Sequence, residues 1–336
     1  MDKKIKTVVS GITPSGRSFH IGNYFGAVKP NIELQNQIEN AYFFIADLHA
    51  LSTIQDQKIL EDNIYNVVLD YLALGLDPEK AVFFKQSDVH EHSELAIILG
   101  NYVSYGHLKR MHAFKDKLQK GFKIDNINMG LFNYPILMAA DILLYKPDAV
   151  PVGEDQRQHV EITRDIAESF NKTYKKPVFS LPEPYISKVT GKIVGTDGQR
   201  KMSKSLGNTI DIFEPEEVIR KQIMGAYTDP ARKRADDHGH LEGNTVFMYH
   251  DLINDNLEEV ADLKQRYIEG KVGDIEVKEK LIVAHKRLFE PARQKRQQLM
   301  QDTNYIKNIL NQGAQKATKL ANQTLAEVKE TIGLKK

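Results

Sequence analysis

The feature of this sequence that most limits its fold is an alternation, over the first half, of short apolar runs with longer segments of helical periodicity. Runs rich in β-branched and aromatic residues are typical of strands, and three of them occur, at Thr7–Ser10, Tyr42–Ala46 and Ala81–Phe84. Apolar residues recur at the spacing of one helix face in the segments 23–34, 64–72 and 91–102. Strands that alternate with helices predict an α/β fold with a parallel, Rossmann-like sheet and right-handed crossovers.

The second half of the chain continues this alternation briefly and then becomes helical. We predict an apolar helix at 134–145, a strand at 149–152, a helix around 160–170 and a mobile Gly-, Pro- and Ser-rich connection at 180–208. From residue 213 only helical periodicity remains, at 215–224, 252–268, 275–298 and 305–332. We therefore predict a Rossmann-like domain at 1–210, with a helical insertion near 105–140, followed by an all-helical domain at 211–336.

Composition and charge exclude several kinds of site. The chain of 336 residues has no cysteine, which excludes disulfides, zinc thiolates and thiol nucleophiles. Its formal net charge of +1 argues against wholesale wrapping of a polyanion but is compatible with a local basic face. The sequence shows neither a signal-like apolar region at its start nor a run long enough to span a bilayer. We expect a cytoplasmic protein with no membrane partner.

The loop after the first predicted strand is the first candidate for binding chemistry. Ligands of a parallel α/β sheet bind beyond the carboxyl ends of its strands, which here are the loops 11–19, 47–51 and 86–90. The first loop reads Ser-Gly-Ile-Thr-Pro-Ser-Gly over residues 10–16 and continues into His20-Ile21-Gly22-Asn23. A strand–helix junction offers free N–H groups to a phosphate, and His20 and Asn23 can donate hydrogen bonds. By itself, such a loop is more often an ordinary strand–turn–helix junction.

The loop Lys201-Met202-Ser203-Lys204-Ser205 is the second candidate. Two ammonium groups three residues apart, in a Gly- and Ser-rich context, can neutralise the charge that grows on a leaving pyrophosphate. Taken alone, a short string of Lys and Ser is more often a solvated loop. The order of the two loops along the chain therefore carries more information than either loop does.

Acidic residues occupy two further positions of interest. Asp141 lies in an otherwise apolar helix, where a carboxylate needs a donor. That donor could be an indole N–H, a protein arginine or a backbone N–H. Glu154 and Asp155 follow the predicted strand at 149–152, where acids can hold ribose hydroxyls or where Asp155 could simply cap the next helix. The residues themselves leave both alternatives open.

Together, the two loops resemble the paired signatures of the class I aminoacyl-tRNA synthetases. Segments 134–145 and 150–167, which contain the run Val152-Gly153-Glu154-Asp155-Gln156, resemble the bacterial tryptophanyl enzymes of that class. The resemblance implies ATP-dependent ligation of L-tryptophan to tRNA(Trp) through a tryptophanyl-adenylate, with Mg²⁺ carried by ATP. It also implies a homodimer and a basic helical tail that binds the anticodon stem.

The same resemblance implies roles for individual residues. Four residues would act on the phosphates: His20, Asn23, Lys201 and Lys204. The segments that would contact ATP are Ile12-Thr13-Pro14, Gly22-Asn23, Gly153-Glu154-Asp155, Ile193 and Lys201-Met202-Ser203-Lys204-Ser205. The pocket for tryptophan would consist of Asp141, as the reader of the indole N–H, with Met138, Tyr134, His49, Gln156, Val150 and Val152. Thr13 stands where relatives often have glutamine, so its contact with ATP is open, as is that of Lys115.

Three other interpretations are compatible with parts of the sequence. A tyrosyl-tRNA synthetase would share the fold and would use an acid for its phenol, whereas a small nucleotidyltransferase would lack the helical tail. A non-catalytic RNA-binding paralogue should have lost Lys201, Lys204 or Asp141, and all three are present. The His-x-His pairs at 90/92 and 238/240 have no metal-ligand spacing around them, so we interpret them as surface histidines.

Overall fold

A computed structural model of the chain describes residues 5–334 apart from 112–113, 116–117, 119–120, 122, 124–126, 187–192, 233 and 235. Within those residues, the sheet has five parallel strands in the order β3-β2-β1-β4-β5. The strands are β1 Thr7–Ile12, β2 Asn40–Ile45, β3 Ala81–Lys85, β4 Ala149–Pro151 and β5 Glu183–Tyr185. The predicted Rossmann-like α/β fold is confirmed. Strand β5 was not predicted, because Pro184 weakens its strand signal, and the structure tolerates this proline on an edge strand.

The first strand lies at the centre of the sheet. Val8 pairs with Ala41 of β2 on one side and with Ala149 of β4 on the other. Both Val8 and Val9 are fully buried, because helices cover both faces of a parallel sheet. The strand order reverses between β1 and β4, so the ligand-binding switch point of this fold lies at the carboxyl ends of these two strands.

Most of the predicted helices are present, with small shifts at their ends. The predicted helix at 252–268 is instead two helices, because the Asn256 side chain accepts a hydrogen bond from the Glu259 N–H and starts a new one. None of the described helices is both long and apolar enough to cross a membrane. In chain order the described helices are α1 Ile21–Asn23, α2 Lys29–Leu34, α3 Asp47–Ala50, α4 Gln57–Leu74, α5 Glu91–Leu99, α6 Tyr105–Lys109, α7 Met129–Leu143, α8 Arg157–Tyr174, α9 Glu216–Met224, α10 Thr245–Ile253, α11 Leu257–Ile268, α12 Asp274–Leu299 and α13 Thr303–Thr331.

The chain forms two compact units whose bounds differ from the predicted division after residue 210. The first unit comprises Met1–Arg17, Pro30–Lys188 and Asp302–Lys336, and the second comprises Ser18–Lys29 and Val189–Gln301. The His-Ile-Gly-Asn segment therefore belongs to the unit that contains the Lys-Met-Ser-Lys-Ser loop. The assignment of catalysis to 1–210 and of tRNA binding to 211–336 stays a prediction.

Helix α13 belongs to the first unit because it packs on the sheet. A Cβ atom added at Gly313 would lie 1.8 Å from the carbonyl oxygen of Phe83 in β3. Further along α13, the Thr324 hydroxyl donates a hydrogen bond to the Leu144 carbonyl at 2.7 Å. Since β3 is an edge strand, the helix protects backbone that would otherwise be open to other strands.

Candidate active site

In the second unit, the backbone brings the two sequence signatures together. Ile21 N–H donates to the Ile210 carbonyl at 2.9 Å, and Ile212 N–H donates to the Phe19 carbonyl at 3.1 Å. His20 and Asp211 therefore form an antiparallel bridge. This pairing holds the His-Ile-Gly-Asn segment against the chain that leaves the Lys-Met-Ser-Lys-Ser loop.

Gly22 lies at the closest approach of the two signatures. A Cβ atom at this position would lie 2.9 Å from the imidazole ring of His20 and 3.3 Å from the Cβ atom of Met202. Any side chain would therefore have to displace either His20 or the loop. The glycine is required by packing, in addition to its proposed place under ATP.

His20 and Asn23 hold each other in one orientation. The Asn23 backbone N–H donates to Nδ1 of His20 at 3.2 Å, and the His20 backbone N–H donates to Oδ1 of Asn23 at 3.1 Å. Because Nδ1 accepts, the ring proton of neutral His20 lies on Nε2. Burial lowers the pKa of His20 to about 4, against the opposing influence of the Asp211 carboxylate. His20 is therefore a neutral Nε2–H donor at pH 7.

A hairpin-like turn packs against the Lys-Met-Ser-Lys-Ser loop and supports it. Val194 bridges to Lys201, and the Met202 N–H donates to the Ile193 carbonyl at 3.0 Å. Asn208 is buried, accepts from the Ser203 N–H at 2.8 Å and donates to Asp197 Oδ2 at 3.0 Å. The loop that carries Lys201 and Lys204 thus rests on a fixed polar scaffold.

The two signature lysines have different surroundings. Lys201 is exposed, whereas Lys204 is about one-third exposed and its Nζ lies 3.7 Å from Oδ1 of Asp211. That oxygen is buried and has no hydrogen-bond partner among the described residues, while Oδ2 accepts from the Gln222 side chain at 2.6 Å. Asp211 therefore provides a nearby counter-charge for Lys204 without a direct hydrogen bond.

The buried histidines of the second unit predict a loss of stability in mild acid. Burial lowers the pKa of His20 and of His285 to about 4, from the ordinary 6.5. Burial also lowers the pKa of His250, so below pH 6.5 the unfolded chain binds protons at three histidines that the folded chain disfavours. The free energy of unfolding should fall between pH 6.5 and pH 4 by up to about 1.4 kcal/mol per pH unit for each histidine. Urea unfolding midpoints across this range would measure the slope.

A histidine replacement provides the control for this slope. His285 donates its Nε2–H to the Asp211 carbonyl, and His285→Gln keeps a donor without titrating. In this variant, the free energy of unfolding should depend less steeply on pH, by the contribution of one proton. Asp141 and Asp197, whose pKa values are about 2, lose their stabilising contribution only below about pH 5. An unchanged slope in the variant would contradict the assignment.

In the first unit, the switch point brings together the loop after β1 and the end of β4. The Ser10 hydroxyl donates to the Pro151 carbonyl at 3.2 Å, which ties the two strands. The Asn63 side chain donates to the Pro14 carbonyl at 3.2 Å and holds the loop from α4. Pro14 is buried, Ile12 is half-buried and Thr13 is exposed. The short Thr13 side chain is thus available at the surface, and its contact with ATP remains a proposal.

The segment Gly153-Glu154-Asp155 follows β4 at the same switch point. Glu154 and Asp155 are exposed, and Glu154 pairs with Arg157 through two hydrogen bonds, of 2.7 and 3.0 Å. The N-cap residue of α8 is Gln156, which makes no capping hydrogen bond with its side chain. The N-cap position of α8 is thus occupied by Gln156 and not by Asp155, and the contact of Asp155 with ribose stays a prediction.

Asp141 is buried, and three side chains lie within hydrogen-bond distance of its carboxylate. Its Oδ1 accepts from Gln86 Nε2 at 2.7 Å and from His92 Nδ1 at 2.6 Å, and Oδ2 pairs with His49 Nε2 at 2.8 Å. Burial raises the pKa of Asp141, but the hydrogen bonds from His49 and His92 outweigh it and hold the pKa at about 2. The partners of this acid are thus histidine and glutamine, and neither of the protein partners considered in the sequence, arginine or backbone N–H.

Two of these partners were not predicted from the sequence. We interpreted His92 as a surface histidine, which is wrong, because His92 has no exposed area and also bonds to the Tyr145 hydroxyl at 2.8 Å. Gln86 is likewise fully buried and follows β3 directly. The only signal for either was the position of Gln86 in a loop at the carboxyl end of a strand.

The other residues predicted to contact tryptophan differ in their burial and contacts. The ring of Tyr134 packs edge-on against His49 at 6.2 Å between centroids, and its hydroxyl bonds to Nε2 of His159. Met138, Val152 and Gln156 are half-buried, whereas Val150 is only 3% exposed and belongs to the core. Val150 therefore lies in the buried core, and its contact with tryptophan stays a prediction.

The basic residues of the helical tail are largely engaged within the protein. Lys286 pairs with Glu216 at 2.9 Å, Arg287 pairs with Asp255, and Arg293 donates to the Ile212 and Glu214 carbonyls at 2.8 Å. Lys295, Lys316 and Lys319 are exposed. Lys115, in the predicted insertion, is also exposed. No cluster of three or more potential metal ligands occurs in the part of the chain that the structure describes.

Comparison with known proteins identifies relatives over the whole chain. Residues 1–290 match the family described as tRNA synthetases class I (W and Y). Tryptophan--tRNA ligases of Fusobacterium nucleatum and Treponema pallidum are 43% and 44% identical over 330 residues, which is 98% and 97% of this chain and 98% and 96% of theirs. A tryptophanyl-tRNA synthetase from Campylobacter jejuni, solved with ADP and tryptophan, is 41% identical with a TM-score of 0.87 and covers 98% of this chain and 100% of its own.

Proposed function

The chain belongs to the class I tRNA synthetase family of the tryptophan and tyrosine enzymes, and from this premise we infer that it ligates L-tryptophan to tRNA(Trp) in an ATP-dependent reaction. The observation that carries this function is the full-length similarity to tryptophan--tRNA ligases. The reaction has two steps. The tryptophan carboxylate attacks the α-phosphorus of Mg-ATP to give tryptophanyl-adenylate and pyrophosphate. The 2′-hydroxyl of the terminal tRNA ribose then attacks the acyl carbon of the adenylate, which forms the ester and releases AMP.

Selection of the amino acid is assigned to Asp141. An ionised, buried carboxylate accepts hydrogen bonds only, so it favours a ring that carries an N–H over one that does not. His49, Tyr134, Met138 and Gln156 would surround the indole and the α-groups of the substrate. Phenylalanine would leave the carboxylate without its ligand donor, which is the kind of mismatch that binding sites reject most strongly.

Activation of ATP is assigned to positioning and to charge neutralisation, because the reaction needs no protein nucleophile. Neutral His20 can donate its Nε2–H to a phosphate oxygen, and Asn23, whose Oδ1 is engaged by the His20 N–H, can donate through its amide nitrogen. Lys201 and Lys204 would stabilise the pyrophosphate as it leaves. In the first unit, the residues that would hold the nucleoside are Ile12, Thr13, Pro14 and the Gly153-Glu154-Asp155 segment. In the second unit, the residues that would contact ATP are Gly22, Ile193, Met202, Ser203 and Ser205. Mg²⁺ would enter with ATP.

The remaining partners are also part of the proposal. Exposed lysines of the helical tail, such as Lys295, would meet the anticodon stem of tRNA through phosphate contacts. A homodimer is supported by three large apolar side chains that are more than 60% exposed on neighbouring helices of the first unit, Ile97, Tyr105 and Met129. Since ATP and uncharged tRNA are its substrates, we propose that the protein acts in the cytoplasm.

Amino-acid-dependent exchange between ATP and pyrophosphate tests the proposed function. Each of the twenty amino acids would be supplied separately to the full-length protein without tRNA, and exchange should occur with tryptophan alone. The reason is that adenylate formation is reversible and needs only the pocket and the phosphate-binding residues. Exchange with tyrosine would keep the mechanism but overturn the role given to Asp141.

The same assay distinguishes the catalytic proposal from its rival. Folded protein that binds ATP but exchanges with no amino acid would favour a non-catalytic RNA-binding paralogue. A charging assay with tRNA(Trp) would then show whether the second step is also absent.

A further inference from the structure

The carboxylate of Asp141 has two oxygens with unequal surroundings. Oδ1 accepts hydrogen bonds from two side chains without any exposed area, Gln86 at 2.7 Å and His92 at 2.6 Å. Oδ2 has one hydrogen-bond partner among the described residues, His49 at 2.8 Å. The His49 side chain is 13% exposed, whereas that of His92 is 0% exposed. The carboxylate is thus held through Oδ1 by two fully buried donors and through Oδ2 by one partner that is partly exposed.

The donor atoms on the buried side are determined by further contacts. Gln86 accepts from the Leu48 N–H through Oε1 at 3.2 Å, so its amide nitrogen must face Asp141. His92 bonds to the Tyr145 hydroxyl through Nε2 at 2.8 Å. The pKa of Asp141 is held at about 2, so its carboxylate is ionised and only accepts hydrogen bonds. His92 therefore presents Nδ1–H to Oδ1 of Asp141.

Helix α3 connects the residues that bond to Oδ1 of Asp141 with the residue that bonds to Oδ2. Leu48, which orients Gln86, precedes His49, which bonds to Oδ2. Asp47 accepts from the Ser87 N–H at 2.9 Å and from the Ser87 hydroxyl, so α3 is attached to the loop that carries Gln86. The residues that follow the carboxyl ends of β2 and β3 are therefore joined by hydrogen bonds into one polar network beside Asp141.

We propose that His92 and Gln86 are positioning residues for amino-acid selection, which hold Oδ1 of Asp141 so that Oδ2 is presented to the indole N–H. The inference rests on the proposed function, and it adds the residues that orient the carboxylate of Asp141. A side chain that only filled the core would affect every substrate equally. A positioning residue should instead affect substrates that carry a ring N–H more than an isostere that lacks it.

The test compares tryptophan with β-(3-benzothienyl)alanine, in which sulfur replaces the indole N–H. In ATP–pyrophosphate exchange, His92→Leu should lower kcat/KM for tryptophan about 10- to 100-fold, the usual effect of losing a hydrogen bond to a charged group. The value for the benzothienyl analogue should stay within about threefold, and KM for ATP should not change. His92→Asn, whose amide can replace Nδ1–H, should restore most of the preference for tryptophan.

The controls separate positioning from folding. His90→Leu makes the same substitution two residues away at an exposed histidine. This variant should keep the preference for tryptophan over the benzothienyl analogue. If His92→Leu does not fold, Tyr145→Phe removes only the hydroxyl that lies 2.8 Å from Nε2 of His92. It should lower the ratio of kcat/KM for tryptophan to kcat/KM for the benzothienyl analogue about threefold or more. Equal losses for both substrates, or an unchanged preference in Tyr145→Phe, would overturn the inference. Absence of exchange by the unmodified protein would overturn the proposed function itself.

Discussion

Replacing Lys204 with alanine is expected to lower kcat of tryptophan-dependent ATP–pyrophosphate exchange about 10²- to 10³-fold. Removal of one preorganised group that stabilises charge in the transition state has effects of this size. Stability should hardly change, because Lys204 is part-exposed and its nearest acid, Asp211, lies 3.7 Å away without a hydrogen bond. Steady-state exchange kinetics and thermal unfolding of the same preparation would measure both quantities.

A second lysine provides the control for the Lys204 experiment. Lys221 is an exposed lysine in the same unit, in the last turn of α9, and Lys221→Ala removes one positive charge without touching the loop. That variant should retain exchange within about twofold. A similar loss in both variants would mean that the general charge of the unit matters, and that Lys204 has no specific role.

Replacing Gly313 with alanine should destabilise the protein by about 3 kcal/mol or more. The new Cβ would lie 1.8 Å from the Phe83 carbonyl oxygen and 2.6 Å from its carbon. Both are backbone atoms of β3, so no rotamer change can relieve the clash, and helix α13 must move away from the sheet. Urea unfolding would give the change in the free energy of unfolding.

The sign of the change in the free energy of unfolding tests whether α13 packs on β3. In an unpacked helix, Gly→Ala stabilises by up to about 1 kcal/mol, so a gain in stability would show that α13 does not rest on β3. Gln315→Ala introduces alanine at an exposed position of the same helix and should change stability by less than about 0.5 kcal/mol.

Local patterns in the sequence were sufficient for most of the helices and strands and for the residue types of the two signature loops. The strands at Thr7–Ile12, Asn40–Ile45 and Ala81–Lys85 follow from apolar runs of strand length, since residues two apart share a face. Helix α4 ends at Gly75, whose φ of +116° is accessible to glycine at low cost. The two signature loops were recognisable because their residue types and order are specific.

Only the tertiary structure decided which distant segments meet. The pairing of Phe19–Ile21 with Ile210–Ile212, the return of α13 to β3 and the burial of His92 beside Asp141 each join residues far apart in the chain. Their hydrogen bonds and close contacts leave no local periodicity, because periodicity reports only the neighbours of a residue within its own helix or strand. The sequence by itself determined the fold class and the family signatures, whereas long-range packing determined the support of Asp141 and the boundary between the two units.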